Sequence, residues 1–506
     1  MNLTKKLFSY IVAIAMIFTL TAFAGGAVNA EEAKTSYTLT LQNKGQTKHT
    51  FEIYQIFTGD LSEGILSNVQ WGNGVSEVGK TALGDAAKKA EDLAKSTDSL
   101  AAKTFAEDLQ EYLQNGTDKE VAANQTESIE GLAAGYYLVK DKANSQNQEN
   151  GAYTSYILKV VKDITATTKL DVPTVEKKVQ DTNDSTGKTS GWQDSADYDI
   201  GDYVPYQITG TMPANIDAYT SYKYVFTDTM SKGLTYKDLN AEEKNLTIKI
   251  GDKVVTSSFK EDVKTNDNDG STVVTWTCAN LKGIDGVTLN KDTKVVVTYS
   301  AKLNKDAVIG SEGNPNTVNL TYSNNPNKGG EGDTGKTPDD KNIVFTYKAV
   351  VNKVDQEQKT LAGAAFKLEK KKGENTYETV EEFTAGEETT FTFSGLDDGD
   401  YRLTETTTPA GYNTIAPIEF TISAEHDKDS ADPKLTNLSV TVTKGEANFT
   451  PDKDAGSLTT YVVNKKGSTL PETGGMGTTL LYAVGGVLVA LAAAYIIISK
   501  KHEKAE

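Results

Sequence analysis

The sequence has one cysteine, Cys278, so no disulfide can form within the chain. Its three histidines, His49, His426 and His502, are far apart, which argues against a histidine-based catalytic or metal site. Basic charge is in deficit as well. Fifty-two Lys and Arg stand against 70 Asp and Glu, a formal charge of −18. An acidic chain repels nucleic acid and anionic lipid, and both are set aside as partners. Neither a nucleophile–histidine pair nor a carboxylate pair in a recognisable frame is present, so a surface hydrolase is not expected. The loop "TNDNDGST", 265–272, fails the calcium-loop pattern at its first and twelfth positions and reads as a hairpin turn. No cofactor and no metal are expected. Cys278 reads as a small core residue.

The two ends are informative. Residues 1–30 place Lys5 and Lys6 before an apolar stretch and close on Val28-Asn29-Ala30, a secretory signal peptide cut after Ala30. The C-terminus carries Leu470, Pro471, Glu472, Thr473 and Gly474, then an apolar run over 480–498 and a basic tail. Nineteen helical residues reach about 28 Å, enough to span a membrane core. These features alone describe a single-span, transmembrane-anchored surface protein. The tripartite end resembles the LPXTG cell-wall sorting signal that sortases recognise in Gram-positive bacteria. The resemblance implies cleavage between Thr473 and Gly474, attachment to peptidoglycan, and loss of the apolar run on maturation. Residues 1–30 carry two lysines, and 474–506 carry three lysines and two glutamates, so the mature chain has a formal charge of −21.

About 440 exported residues suggest two to four domains. Between the signals the chain is mainly β, rich in Thr, Val and Tyr and punctuated by Gly, Asn and Asp. The first unit, 31–172, opens with "SYTLTLQ" and "HTFEIYQIFTG", which read as a hairpin across "NKGQTK". A helical region over 81–114 interrupts it and is expected to pack on its own sheet. Pro173 marks the start of a second unit, 173–349, and a third covers 350–466. Unit sizes fit tandem Ig-like β-sandwiches, with 467–506 as the sorting signal. The acidic stretch "DSADYDIGD", 194–202, reads as a solvated strand edge.

Strand alternation exposes the chemistry. In "DVPTVEKKVQ" Lys177 shares a face with Val175 and Val179, while Lys178 faces solvent. Asp228 falls with Tyr224 and Phe226, and Asn316 with Val318 and Leu320. The third unit repeats the order: Lys353 with Val351, Glu405 with Tyr401 and Leu403, Asn464 with Val462. Two buried salt bridges with a neighbouring asparagine are one reading. Repetition of lysine, acid, asparagine on apolar faces favours another, because unpaired buried ions are costly. Desolvation lowers a lysine pKa and raises that of an acid. A neutral amine can then attack an asparagine amide, with Asp228 or Glu405 relaying protons and ammonia leaving. Fixed proximity supplies effective molarities on the order of 10⁵ M. The products are single-turnover isopeptide bonds, Lys177–Asn316 and Lys353–Asn464.

"YRLTETTTPAGY", 401–412, resembles the E-box of Gram-positive pilins, within a Cna-B-like domain. "FTDTMSKGLTY", 226–236, with "PTVEKKV" before it and "NTVNLTY" after it, resembles the Cna-A-like middle domain of fimbrial shaft subunits. "GLAAGYYLVKD" is similar to a segment of their N-terminal domain. The family implies a secreted, wall-anchored pilus built by sortase, in which a lysine of one subunit is joined to the C-terminal threonine of its neighbour. Shaft pilins usually present that lysine in a Tyr-Pro-Lys-Asn motif, which this sequence lacks. Lys169, just before Pro173, is the candidate, with Lys162 as the fallback. The alternative is a wall-anchored adhesin or basal pilin that binds a host surface ligand.

Overall fold

The structure is a computed structural model and describes residues 35–95, 99–167, 172–330, 332–373, 376–467, 484–492 and 494. The signal peptide, Lys169 and the Leu470–Gly474 motif lie outside the described residues. Of the expected membrane span, 484–492 are helical. Among the described residues no helix is long and apolar enough to cross a membrane, so the transmembrane reading finds no support there.

In the first 130 described residues, strand Tyr37–Gln42 alternates buried and half-buried positions. It pairs antiparallel with Thr126–Leu132 and parallel with Ile164–Thr167. Strand His49–Ser62 belongs to a separate five-stranded sheet with Gly135–Asp141. The expected hairpin between these two segments is therefore corrected. Buried Asn43 turns the chain at this corner, its Nδ2 donating to the carbonyls of Thr47 (2.7 Å) and Ala122 (3.1 Å). The turn carries the following strand into the other layer. Helical structure begins earlier than expected, at Glu77, where Ser76 Oγ accepts the Gly79 amide. It is divided into Glu77–Leu83, Ala86–Lys95 and Ser99–Leu109. Ala86, Ala90, Leu93, Phe105 and Leu109 pack with Tyr54, Ile56 and Phe57 of the sheet beneath.

The middle module is a two-layer sandwich. One layer holds Val175–Val179 at its edge, next to Tyr203–Thr211 and then Lys294–Leu303. The facing layer runs through Asp340–Phe345, Asn314–Ser323, Tyr224–Met230 and Thr272–Cys278. Strict alternation along Tyr224–Met230 sends Tyr224, Phe226, Asp228 and Met230 inward. Lys260–Thr265 and Thr272–Cys278 form the antiparallel pair expected around Asp269-Gly270. Cys278 is buried in this core.

The last module has a four-stranded and a five-stranded layer. Its first strand, Tyr347–Asp355, crosses the boundary expected at 349–350 and pairs in parallel with its last, Ser457–Asn464. The segment 194–202 is not a solvated edge: Asp194, Ser195 and Asp197 are buried against the last module. Asp194 Oδ2 accepts the Ser430 amide at 2.8 Å, and Asn183 donates to Asp398 at 2.7 Å. His426 sits 3.7 Å from Asp181 and 3.6 Å from Asp197. Lys370, from the last module, reaches Asp397 and, across the seam, Asp184 and Asp199.

Candidate functional site

Lys177 occupies the centre of its strand and pairs in register with Ile208, so its side chain enters the sandwich. Asp228 and Asn316 project from the opposite layer, on neighbouring strands. All three side chains are fully buried. Lys177 Nζ donates to Asp228 Oδ1 and, at 2.7 Å, to the Tyr299 hydroxyl. Tyr299 donates to Asp228 Oδ2 at 2.5 Å and accepts from Asn316 Nδ2 at 2.8 Å. The ammonium also lies 5.1 Å from the ring centres of Tyr206 and Tyr299. Burial pushes the Lys177 pKa down, and the attraction of Asp228 does not restore it. Burial likewise pushes the Asp228 carboxyl up, against the pull of Lys177 and the Tyr299 hydrogen bond. Desolvation wins for both partners, which favours a neutral amine beside a protonated acid.

Two residues of this site escaped the sequence reading. Tyr299 was detectable, since alternation in "TKVVVTYSAKL" places it on the inward face with Val295 and Val297. Asn342 was not, because its strand, Asp340–Phe345, begins within the Gly-, Asn- and Asp-rich stretch 324–341, which has no strand pattern. It stands opposite Asn316 in register, fully buried, with no hydrogen-bond partner for either side-chain polar atom. Lys178, expected to face solvent, is half-buried and pairs with Asp194 at 2.6 Å.

The last module arranges its triple differently. Lys353 and Asn464 lie on adjacent parallel strands of one layer, and Glu405 comes from the other. Lys353 is buried and its Nζ donates to the carbonyls of Val354 (3.0 Å) and Val462 (3.1 Å). Burial lowers its pKa to about 8, with Glu405 and Asp355 opposing. Asn464 Nδ2 donates directly to Glu405 Oε2 at 3.0 Å and to the Asn413 carbonyl at 2.6 Å. Glu405 Oε1 and Asn464 Oδ1 are buried without partners.

Lys370 is the instructive contrast. It is as buried as the other two lysines, but Asp397 and Asp199 outweigh desolvation and hold its pKa above the ordinary value. It remains an ammonium, suited to an ion pair and not to nucleophilic attack. The carboxylates that come together at the seam are largely occupied by the protein's own cations: Asp184, Asp199 and Asp397 by Lys370 and Lys372, Asp181 and Asp197 by His426. In the first module the buried polar pair is His49 with Asp141, whose Nδ1 and Oδ1 lie 2.6 Å apart. Among the described side chains of residues 35–167, no lysine is buried.

Comparison with known proteins gives the class. Residues 200–326 match the family model for the Gram-positive pilin backbone subunit 2, Cna-B-like domain. Residues 348–437 match the SpaA prealbumin-like fold domain, and 462–505 the LPXTG cell wall anchor motif. The middle match is thus described as Cna-B-like where the sequence suggested Cna-A-like. The chain thus carries a Gram-positive pilin backbone domain, a prealbumin-like fold domain and an LPXTG cell wall anchor motif, the last marking a secreted, wall-attached surface protein.

Among curated proteins it is similar to the trypsin-resistant surface T6 protein of Streptococcus pyogenes serotype M6, with 26% identity over 264 residues. That alignment covers 49% of this chain and 45% of the relative, so less than half of the relative's length is spanned. The fold is similar to that of the solved T6 backbone pilin of serotype M6 S. pyogenes, at 18% identity and a TM-score of 0.55. The match covers 87% of this chain and all of that one. The full-length major pilin SpaD of Corynebacterium diphtheriae matches at 19% identity and a TM-score of 0.50, over 87% and 99% of the two chains.

Proposed function

We propose that the chain is the shaft subunit of a covalently polymerised pilus, divided into modules 31–172, 173–349 and 350–466 and a sorting signal over 467–506. In this reading sortase cleaves between Thr473 and Gly474 and joins Thr473 to Lys169 of a neighbouring subunit, with peptidoglycan as the final acceptor. Two internal isopeptide bonds, Lys177–Asn316 promoted by Asp228 and Lys353–Asn464 promoted by Glu405, stabilise the subunit. The observation that carries the proposal is the fully buried Lys177, bonded to Asp228 and connected to Asn316 through one hydroxyl. An ion pair held only for stability would be a poor choice there, since burying charge costs about as much as pairing returns. Cross-linked modules in series suit a filament that bears load in a chain with a single cysteine.

The polymerisation half of the proposal is tested on boiled wall extracts run on a denaturing gel. A high-mass ladder that collapses in Lys169→Ala supports it. A wild-type monomer band alone would contradict the shaft assignment.

A further inference from the structure

We infer that the Tyr299 hydroxyl is the proton relay of the middle site, and that it selects Asn316 over Asn342 as the partner of Lys177. The inference rests on the reading that this site forms a lysine–asparagine isopeptide bond. Tyr299 touches the nucleophile, the acid and the leaving nitrogen at once, at 2.7, 2.5 and 2.8 Å. Accepting twice and donating once uses the full capacity of a hydroxyl. Its ring is fixed by stacking on Tyr206 at 5.2 Å, an edge contact with Tyr236 at 5.6 Å and Trp276 at 5.2 Å. Asn342 lies beside Asn316, equally buried, yet its side chain makes no hydrogen bond.

The chemistry requires such a path. An amide nitrogen departs only once it has gained a proton, and solvent does not reach these side chains. Lys177 first gives a proton to the Tyr299 oxygen as Tyr299 gives its own to Asp228 Oδ2. The neutral amine attacks Asn316 Cγ, which becomes tetrahedral. While Asn316 was an amide, its nitrogen could only donate. In the tetrahedral adduct its lone pair is released and it becomes a base, so the direction of the chain reverses. Asp228 Oδ1 takes the second proton from the lysine nitrogen. Asp228 Oδ2 returns its proton through Tyr299 to the asparagine nitrogen, the C–N bond breaks, and ammonia leaves. One amide forms, one amide breaks, and Tyr299 ends as it began. No hydroxyl or acid hydrogen-bonds the Asn342 nitrogen, so it has no path for the proton that ammonia needs in order to leave. In the last module no relay is needed, because Asn464 contacts Glu405 directly.

The test is cell-free synthesis of the full chain, sampled over time by intact mass and by mapping of cross-linked fragments. Wild type should yield the Lys177–Asn316 fragment. Tyr299→Phe, which keeps the ring, should slow that bond roughly 100-fold, within the range for general acid–base catalysis, while Lys353–Asn464 forms at the wild-type rate. Wild-type formation should slow in D₂O, and the residual Tyr299→Phe rate should respond less. Tyr299→Phe in an Asn316→Ala background, where no middle bond can form, should melt below that background because the hydroxyl's bonds to Lys177 and Asp228 are lost, yet stay folded at the assay temperature. Equal rates in wild type and Tyr299→Phe would overturn the relay and leave the cross-link standing. A Lys177–Asn342 fragment in wild type would overturn the selection. A wild-type chain with no bond at Lys177 would overturn the underlying reading and this inference with it.

Discussion

Asn316 and Asn342 stand opposite each other on neighbouring antiparallel strands, both fully buried, and only Asn316 shares the hydroxyl that joins Lys177 to Asp228. The two amides are therefore unequal despite identical burial. Asn316→Ala should abolish the middle cross-link while leaving the Lys177–Asp228 pair in place. The bond closes a loop of 139 residue steps, so if the chain-entropy argument for disulfides transfers, the loss is about 5 kcal/mol in denaturant unfolding. Asn342→Ala should retain the bond and cost far less, since its amide has no hydrogen bond to lose.

The last module should mature with a pH dependence set by Lys353. Burial places its pKa at about 8, so the neutral amine is a minor species at pH 6 and the major one above pH 8. Below that value the rate of Lys353–Asn464 formation should rise about tenfold per pH unit, then level off. A time course of cross-linked fragment at several pH values reads this directly. A flat profile from pH 6 to 9 would contradict deprotonation as the limiting requirement.

The seam between the last two modules should loosen with alkali. Burial alone would lower the His426 pKa, but Asp181 and Asp197 hold it at about 9. A raised pKa contributes stability that is complete below about 6.5 and lost as pH climbs through 9, worth roughly 3 kcal/mol in total. Asp398, pushed up to about 7 by burial and then by Asp197, loses its favoured neutral form across the preceding interval, with the same sign. Unfolding free energy should therefore fall between pH 5 and 9, and His426→Gln should flatten the part above pH 7.

Strand periodicity made most of this architecture legible. Alternation alone placed Lys177, Asp228, Lys353 and Glu405 in cores, because a period of two allows no other face once the neighbouring valines and tyrosines are buried. What it could not supply was connectivity between layers. Tyr37–Gln42 and His49–Ser62 look like a hairpin locally, yet Asn43 turns the chain into a different sheet. Nor could local pattern show that Asp194, Ser195 and Asp197 would be covered by residues 426–430, more than two hundred positions away. Acidic residues at such a seam look like solvent-facing ones until their long-range partners are known. Tyr299 was on the correct face but is one of many inward tyrosines, and nothing in its spacing marks it as the residue bonded to all three site members.

Intact mass of the purified chain tests the central claim most directly. Each isopeptide bond expels one ammonia, so two bonds place the measured mass about 34 Da below the formula mass. Asp228→Ala or Glu405→Ala should each restore about 17 Da. A wild-type mass equal to the formula value would show that both buried lysines are held as ion pairs or free amines, and would contradict the account.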